Sequence, residues 1–447
     1  MNLFETFTPW AFFVDLGLIS LLLLVGQMLR AKVKIIQKLF IPPSLIAGLL
    51  GLALGPNGLG WLPFSGELGT YASVLIAIVF AALPLSSASA PLKEIVRTSG
   101  PMWAYAQLGL LLQWGIVGLF GLFVLNAIWP DLHPAFAMMF PTGFYGGHGT
   151  AAAVGSAFEG LGWEEARSLG MMVATIGVIS AICGGLIFIK WAARHKHTAF
   201  ISDFSELPDE LRSGLVPEDK RTSIGQATTS SISIDSLTFH IALVCISALL
   251  GYLFSRGIKS LYPILELPVF SCSFVFGLII KRLLDATRVS KYVCQQTTQR
   301  IGSVATDLLV AFGVASIKLS VIVKYALPLI LLLIVGIAVV IFITFFFGRR
   351  LSKNYWFERT IFAWGWWSGT MAMGIALLRI VDPKSSSKAM DNYALAYLPI
   401  APIEILLITF MPILFSNGMG VWLLLGCLAL ALITILIAWR AKWFIKR

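Results

Sequence analysis

Runs of about twenty predominantly apolar residues recur from one end of this 447-residue chain to the other. Each is long enough to cross a hydrocarbon core of roughly 30 Å as a helix. A water-soluble fold has no interior large enough to hide them, since 58% of the residues are hydrophobic and only 12% charged, against roughly 25% charged in a soluble domain. The mean hydropathy of +0.86 agrees. The chain is therefore expected to be an all-α polytopic membrane protein, with the lipid bilayer as its solvent.

Spans are expected near residues 8–29, 42–62, 70–91, 102–127 and 167–190, and then near 237–256, 264–283, 301–322, 326–348, 389–415 and 420–440. Two further stretches, about 135–158 and 358–379, are apolar but rich in Gly and small residues, and the next span follows each closely. They read as re-entrant hairpins. The beginning, MNLFETFTPW, has an acidic residue and no positive n-region, so the first run reads as a retained span.

Charge sets the expected orientation. Arg30, Lys32, Lys34 and Lys38 follow the first span, and Lys93 and Arg97 follow the third, which places those loops in the cytoplasm. Glu159, Glu164 and Glu165 after the first hairpin then fall outside, and Arg349, Arg350, Lys353 and Arg359 before the second fall inside. The two hairpins thus enter from opposite faces. Arg440, Lys442, Lys446 and Arg447 put the C-terminus in the cytoplasm, with the N-terminus outside; Lys259, Lys318 and Lys324 are exceptions on the outer side. Because the net charge of +11 comes from such clusters between apolar runs, it sets membrane orientation, and no nucleic-acid partner is expected. Cys183, Cys245, Cys272 and Cys427 lie in apolar runs and Cys294 in a basic loop, without metal-ligand spacing. They read as small packing residues.

The one long hydrophilic stretch, 193–236, reads as a cytoplasmic linker between two halves. The halves resemble each other weakly. Ile41-Pro42 and Gly51 match Leu267-Pro268 and Gly277 at a constant offset, Pro101 matches Pro328 one residue further on, and His148-Gly149-Thr150 matches Ser368-Gly369-Thr370 slightly out of step. Their common order on five-span halves of opposite orientation is the pattern of an inverted-topology transporter repeat. The expected organisation is 1–192 as the first repeat, 193–236 as the linker, 237–415 as the second repeat, and 416–447 as one extra C-terminal helix with a basic tail.

The residues that carry chemistry lie at the hairpins. The first contains Gly146-Gly147-His148-Gly149-Thr150, glycines that let a helix break and leave room for a ligand near main-chain groups. Broken backbone at membrane depth must line a cavity or be buried in protein; freed N–H groups favour an anion and freed carbonyls a cation. The alternative is a tightly packed Gly-rich helix crossing. His148 has three readings: proton carrier, substrate hydrogen-bond donor and cap for the broken backbone, of which the last two are favoured together. The second hairpin, Trp364-Gly365-Trp366-Trp367-Ser368-Gly369-Thr370 and onwards to Gly374, repeats the Gly-Thr step. Its tryptophans either seal one side of a cavity or form an interfacial aromatic belt. Thr150 and Thr370 offer hydroxyls to a cation or a carboxylate, unless they bond back to their own helices.

Ionisable residues inside apolar runs cost roughly 2.5–3.5 kcal/mol each on insertion scales and are functional suspects by default. Thr306-Asp307 in the eighth span and Glu404 after Pro399 and Pro402 qualify as ligands of a coupling cation, with a hydrated interfacial carboxylate the alternative for Asp307. Asp15 sits near the outer edge and reads as interfacial. Arg379 either clamps a substrate carboxylate bidentately or anchors the inner side.

These residues resemble the bacterial sodium/glutamate symporter family. The resemblance is carried by Gly146-Gly147-His148-Gly149-Thr150, by Ile41-Pro42 with Ala47-Gly48, by Leu267-Pro268, by Ile301-Gly302 through Lys318-Leu319, and by Ala174-Thr175-Ile176-Gly177 with Gly184-Gly185. It implies two inverted repeats of five transmembrane helices, each with a re-entrant hairpin, arranged as scaffold and transport parts in the bacterial cytoplasmic (inner) membrane. It also implies Na+-coupled uptake of an acidic amino acid such as glutamate. In the expected mechanism the tips of the two hairpins meet and move against a scaffold that supplies a homodimer interface, with no cofactor besides the coupling Na+. From the reading of the residues, the expected substrate-binding positions are Gly147, His148, Gly149, Thr150, Ser368, Gly369, Thr370 and Arg379, and the expected ion-binding positions are Thr150, Thr306, Asp307, Thr370 and Glu404. The chain departs from the family where Gly369-Thr370-Met371-Ala372-Met373-Gly374 replaces a Gly-rich stretch ending in Ala-Thr-Pro-Thr, and by the span at 420–440. The alternative function is proton- or sodium-coupled transport of another organic anion of the 2-hydroxycarboxylate kind. A channel would need a continuous polar pathway and the sequence shows no ring-forming charged stripe; an intramembrane enzyme would need a partner nucleophile for His148, and none is apparent.

Overall fold

The computed structural model describes residues 7–38, 41–86, 92–200, 213–221, 223–230, 232–261, 267–382, 386–397 and 399–445. Among these the regular elements are helices only. The longer ones in the first half are α1 (Pro9–Lys32), α2 (Pro43–Leu54), α3 (Leu68–Ser86), α4 (Leu92–Leu112), α5 (Met139–Phe144), α6 (Gly147–Gly160) and α7 (Ala166–Arg194). The second half contributes α8 (Ser236–Leu261), α9 (Val269–Ala286), α10 (Gln295–Ala315), α11 (Ala326–Leu351), α12 (Trp356–Ser368), α13 (Met371–Val381), α14 (Ala389–Tyr397), α15 (Ala401–Ser416) and α16 (Gly420–Arg440). Helix α4 runs on through π turns at Gln113–Val117 and Gly121–Leu125.

Seven helices among the described residues are long and apolar enough to cross a membrane: α1, α3, α4 with its extension to Ile128, α7, α8, α11 and α16. The chain is a helical membrane protein with fewer full-length helices than the eleven expected runs. Three differences are local, and two of them have a cause in the sequence. The run at 42–62 is helical only to Leu54, where Gly55, Pro56 and Gly58 turn the chain and Gly60 takes φ +70°. The run at 301–322 stops at Ala315 and resumes as a short helix at Leu319. The run at 389–415 divides into α14 and α15 beside Pro399 and Pro402, because proline removes a backbone donor. Residues 201–212, 222 and 231 of the expected linker lie outside the described residues.

The chain divides into two compact units, each drawing on both halves of the sequence. The first comprises Met1–Gly26, Pro43–Ser89 and Val216–Ile317; the second comprises Gln27–Pro42, Ala90–Leu215 and Lys318–Arg447.

In the first unit α3 packs along α10, and the crossings on either side of that pair are alike: α2 lies on α10 and α9 lies on α3. Gly51 and Gly277 occupy corresponding places. A Cβ on Gly51 would stand 2.9 Å from the Ala315 methyl carbon, and one on Gly277 would stand 2.8 Å from the Ala81 carbonyl oxygen. The core around the first crossing holds Ile19, Leu22, Ala47, Phe64, Ala311 and Phe312; around the second, Ala81, Ala82, Leu85 and Val244.

Asp15 is buried in this unit, at 1% exposure, not at a hydrated edge as the sequence suggests. Distance along α1 from its end is a poor guide to burial when the α2–α3 loop folds over it. One carboxylate oxygen accepts from the Ser65 amide at 2.9 Å, and the other accepts from the Ser65 hydroxyl at 2.5 Å and the Tyr71 hydroxyl at 3.0 Å. The charge thus ties α1 to the loop and to α3. Cys183 and Cys245 are exposed, whereas Cys272 and Cys427 are buried packing residues as expected.

Asp15→Ala is expected to destabilise the protein by roughly 1–3 kcal/mol for each buried partner left unpaired, with Asp15→Asn milder because it keeps one acceptor. Thermal unfolding of the detergent-solubilised variants checks this; equal midpoints for wild type and Asp15→Ala would contradict it.

Candidate functional site

The second unit is organised on α7, an uninterrupted 29-residue helix. Gly170, Ala174, Gly177, Ala181, Gly184 and Gly185 recur along it at three- and four-residue steps, so they share a face. Small residues on one face let other backbones approach closely inside a membrane. Two broken helices do so here.

The first is α5–α6, interrupted at Tyr145–Gly146. Its α5 limb presses on α7 where a Cβ on Gly143 would lie 2.7 Å from the Ala174 amide nitrogen. Its α6 limb crosses where a Cβ on Gly155 would lie 2.5 Å from the Arg167 Cα. The segment folds back on itself: His133, just before it, stacks on Trp163 at 4.1 Å and meets Phe158 at 5.3 Å. Burial pushes the His133 imidazole down to about 4, so it packs there uncharged at neutral pH.

The second is α12–α13, interrupted at Gly369–Thr370. It also folds back, because a Cβ on Gly365 would stand 2.7 Å from the Gly374 Cα. It reaches the same helix one to two turns along. The Trp364 indole N–H donates to the Ala181 carbonyl at 2.9 Å, and a Cβ on Gly177 would lie 2.5 Å from the Ser368 carbonyl oxygen.

The breaks of the two helices meet. Gly147 takes φ +65°, and a Cβ built on it would lie 3.1 Å from the Gly369 carbonyl oxygen and 3.6 Å from Thr370 Cγ2. Only glycine combines that backbone conformation with that approach at no steric cost. Gly147, His148, Thr150, Ser368, Gly369 and Thr370 are therefore brought together, with Gly149 half-buried between them. The first turns of α6 and α13 bring N–H groups without helical partners to this point, and the Gly369 carbonyl supplies an acceptor. Such a place can hold an anion and a cation side by side.

His148 is buried, and its Nε2 lies 3.1 Å from the Thr175 hydroxyl. That hydroxyl donates to the Met171 carbonyl at 2.9 Å, so its oxygen accepts from His148 and Nε2 carries the proton. The histidine thus fixes the first break to α7. The Thr150 hydroxyl makes no hydrogen bond to its own helix among the described residues. Ser368 does bond back, to the Trp364 carbonyl at 2.5 Å, and Thr370 caps α13 by accepting from the Met373 amide at 3.4 Å.

Trp364, Trp366 and Trp367 are 1%, 7% and 0% exposed. Burial excludes the interfacial belt and places all three rings inside the protein. The Trp367 N–H donates to the Tyr393 hydroxyl at 2.7 Å, and its ring lies parallel to Tyr145 beside the first break, with centroids 6.5 Å apart. Trp366 packs on Tyr393 and Tyr397, and the Tyr397 hydroxyl donates to Glu404 at 2.6 Å. Glu404 is thereby buried behind the aromatic wall of the second hairpin.

The remaining expected positions are placed as follows, each within its own unit. Arg379 is exposed, nine residues beyond Thr370 on α13, about 13 Å along the helix. Thr306 and Asp307 belong to the first unit, where the Thr306 hydroxyl bonds back to the Gly302 carbonyl at 2.8 Å and Asp307 is exposed. Sequence reading placed Thr175 in a family motif without assigning it a partner, and it missed Tyr393. A threonine inside an apolar run two residues before a glycine carries little signal by itself, and Tyr393 acquires its role only through Trp367.

Thr175→Val keeps the shape and removes the partner of His148, so a loss of roughly 1–3 kcal/mol is expected, with Thr175→Ser close to wild type. Thermal unfolding of the two variants separates the hydrogen bond from the packing; equal losses would argue against the bond.

A family model described as sodium/glutamate symporter matches residues 12–371. The sodium/glutamate symporter of Escherichia coli (strain K12) is 26% identical over 344 residues, which cover 75% of this chain and 80% of the relative. The sodium/glutamate symporter of Haemophilus influenzae is 23% identical over 354 residues, covering 76% of this chain and 81% of the relative. The family match takes in both breaks and ends one residue after Thr370.

Proposed function

Since the chain belongs to the sodium/glutamate symporter family, we infer that it is a secondary active transporter, coupling inward Na+ movement to uptake of glutamate or a related small carboxylate. The observation that carries this reading is the meeting of the two helix breaks at Gly147, Gly369 and Thr370. Helix starts offer N–H groups to the substrate carboxylates, while the Gly369 carbonyl and the Thr150 and Thr370 hydroxyls offer oxygen ligands to Na+. His148 orients the first break through Thr175. Glu404, buried behind the aromatic wall, is a second candidate for balancing a cation. Asp307 and Thr306 remain candidates only if ion binding also involves the first unit.

Two inverted repeats with re-entrant hairpins fit this mechanism. The like crossings at Gly51 and Gly277 support the repeat, as does the composition of each unit from corresponding helices of both halves. The first unit is then the scaffold and the second the moving part in alternating access. Helices α1 and α8 leave most of their length uncovered, which suits a homodimer through the scaffold. The basic clusters suit a bacterial inner-membrane orientation with the N-terminus outside and the C-terminus in the cytoplasm. Because the family match ends at Met371, the second limb of α12–α13 is where the substrate would differ from glutamate, towards another organic anion.

Uptake of radiolabelled glutamate into proteoliposomes tests the reading. An inward Na+ gradient is expected to drive saturable accumulation that a K+ gradient does not. Gly147→Ala is expected to reduce it at least roughly tenfold, the equivalent of about 1.4 kcal/mol, because the methyl group meets the Gly369 carbonyl. Uptake that ignores the Na+ gradient, or a fully active Gly147→Ala variant, would count against this site.

A further inference from the structure

A groove of about 600 Å³ runs between α7 and α11 in the second unit, within the size range of ligand pockets. It lies at the end of these helices remote from the hairpin breaks in sequence, and the transport reading does not use it. Its walls are aromatic: Phe188 and Phe345 meet edge-on at 4.7 Å, and Phe342 and Phe346 stack at 5.0 Å. Ile187 is 65% and Phe342 56% exposed, so the groove opens sideways from apolar helices, towards the hydrocarbon of a bilayer. One end is closed by tryptophans: Trp191 lies against His197 at 5.2 Å, and His197 against Trp356 at 5.5 Å.

That same end carries two guanidinium groups. Arg350 lies over the Phe346 ring at 3.8 Å, and Arg349 over the Trp356 ring at 5.8 Å. Arg350 uses one donor on the Phe346 carbonyl at 3.3 Å, which leaves most of its five N–H groups available. Among the described residues no carboxylate stands within ion-pair reach of either arginine. A large apolar groove exists in the first unit too, at about 520 Å³, but its one charged lining residue is Glu67. Apolar shape alone therefore does not distinguish the α7–α11 groove; its paired cations do.

We propose that this groove is a binding site for an anionic glycerophospholipid, with an acyl chain along Phe188, Phe342 and Phe345 and the phosphate held between Arg349 and Arg350. Each part of the ligand finds its match: hydrocarbon on the aromatic walls, the glycerol and ester region beside the tryptophans, and the phosphate on guanidinium forks suited to it. The basic cluster that includes these arginines is the one expected on the cytoplasmic side, where basic pockets between helices meet anionic headgroups. Since α11 leads directly into α12, the lipid would brace the approach to the second hairpin.

The test uses the full-length detergent-solubilised protein, titrated separately with phosphatidylglycerol and with phosphatidylcholine of the same acyl chains. Thermal midpoint and bound lipid by native mass spectrometry are the readouts. The wild type is expected to favour phosphatidylglycerol. R349Q/R350Q is expected to need at least roughly tenfold more of it for the same shift, with the phosphatidylcholine response unchanged. R349K/R350K should keep most of the preference, and K281Q/R282Q, a basic pair at the end of α9, should keep all of it. If R349Q/R350Q does not survive purification, the single variants R349Q and R350Q decide, each losing part of the preference. No preference in the wild type, a preference undiminished in the glutamine variants, or an equal loss in K281Q/R282Q would overturn the proposal.

Discussion

The second unit depends on how closely two interrupted backbones approach one continuous helix. At Gly177 on α7, a single added methyl group would stand 2.5 Å from the Ser368 carbonyl, and a larger side chain would force α12 away. Main-chain groups freed by a break cannot be left facing lipid, where each unsatisfied group costs several kcal/mol. The small face of α7 answers this by bringing both breaks inside protein and into contact. The hydrogen bonds from His148 to Thr175 and from Trp364 to Ala181 then fix each one along the helix.

The first unit solves a different problem with a similar device. Gly51 and Gly277 allow α2 and α9 to lie close on α10 and α3, while a buried carboxylate secures the end of α1. Asp15 accepts from the Ser65 amide, the Ser65 hydroxyl and the Tyr71 hydroxyl, a structural use of the carboxylate. Both units are held by satisfied buried polar groups, Asp15 in the first and His148 and Trp364 in the second.

Much of this was legible in the sequence because it rests on period, length and glycine. The apolar runs announce membrane helices, and the Gly-Thr steps at 149–150 and 369–370 lie next to or at the two helix breaks that approach each other at Gly147 and Gly369. The burial of Asp15 was not legible, since it depends on a loop folding over α1 and not on the local pattern. Nor was the splitting of 389–415, whose total hydrophobicity hides the effect of Pro399 and Pro402. The tryptophans of α12 admitted two readings because an interfacial and a buried aromatic look alike in one dimension. Their contacts with Tyr145, Tyr393 and Tyr397 decide for the interior. Thr306 and Asp307 were legible as ionic or polar groups inside a span, but their membership of the first unit was not, because it depends on how α10 packs.

The central claim is that the contact between the two breaks is the place where substrate and Na+ bind. A single cysteine introduced as Thr370→Cys, after replacement of Cys183, Cys245, Cys272, Cys294 and Cys427, puts a reactive group at that contact. Its labelling by a small membrane-impermeant thiol reagent is followed in proteoliposomes with Na+, with glutamate and with both. The account expects strong protection when both are present and little with glutamate alone. A labelling rate that neither solute changes, in a variant that still binds glutamate, would contradict it.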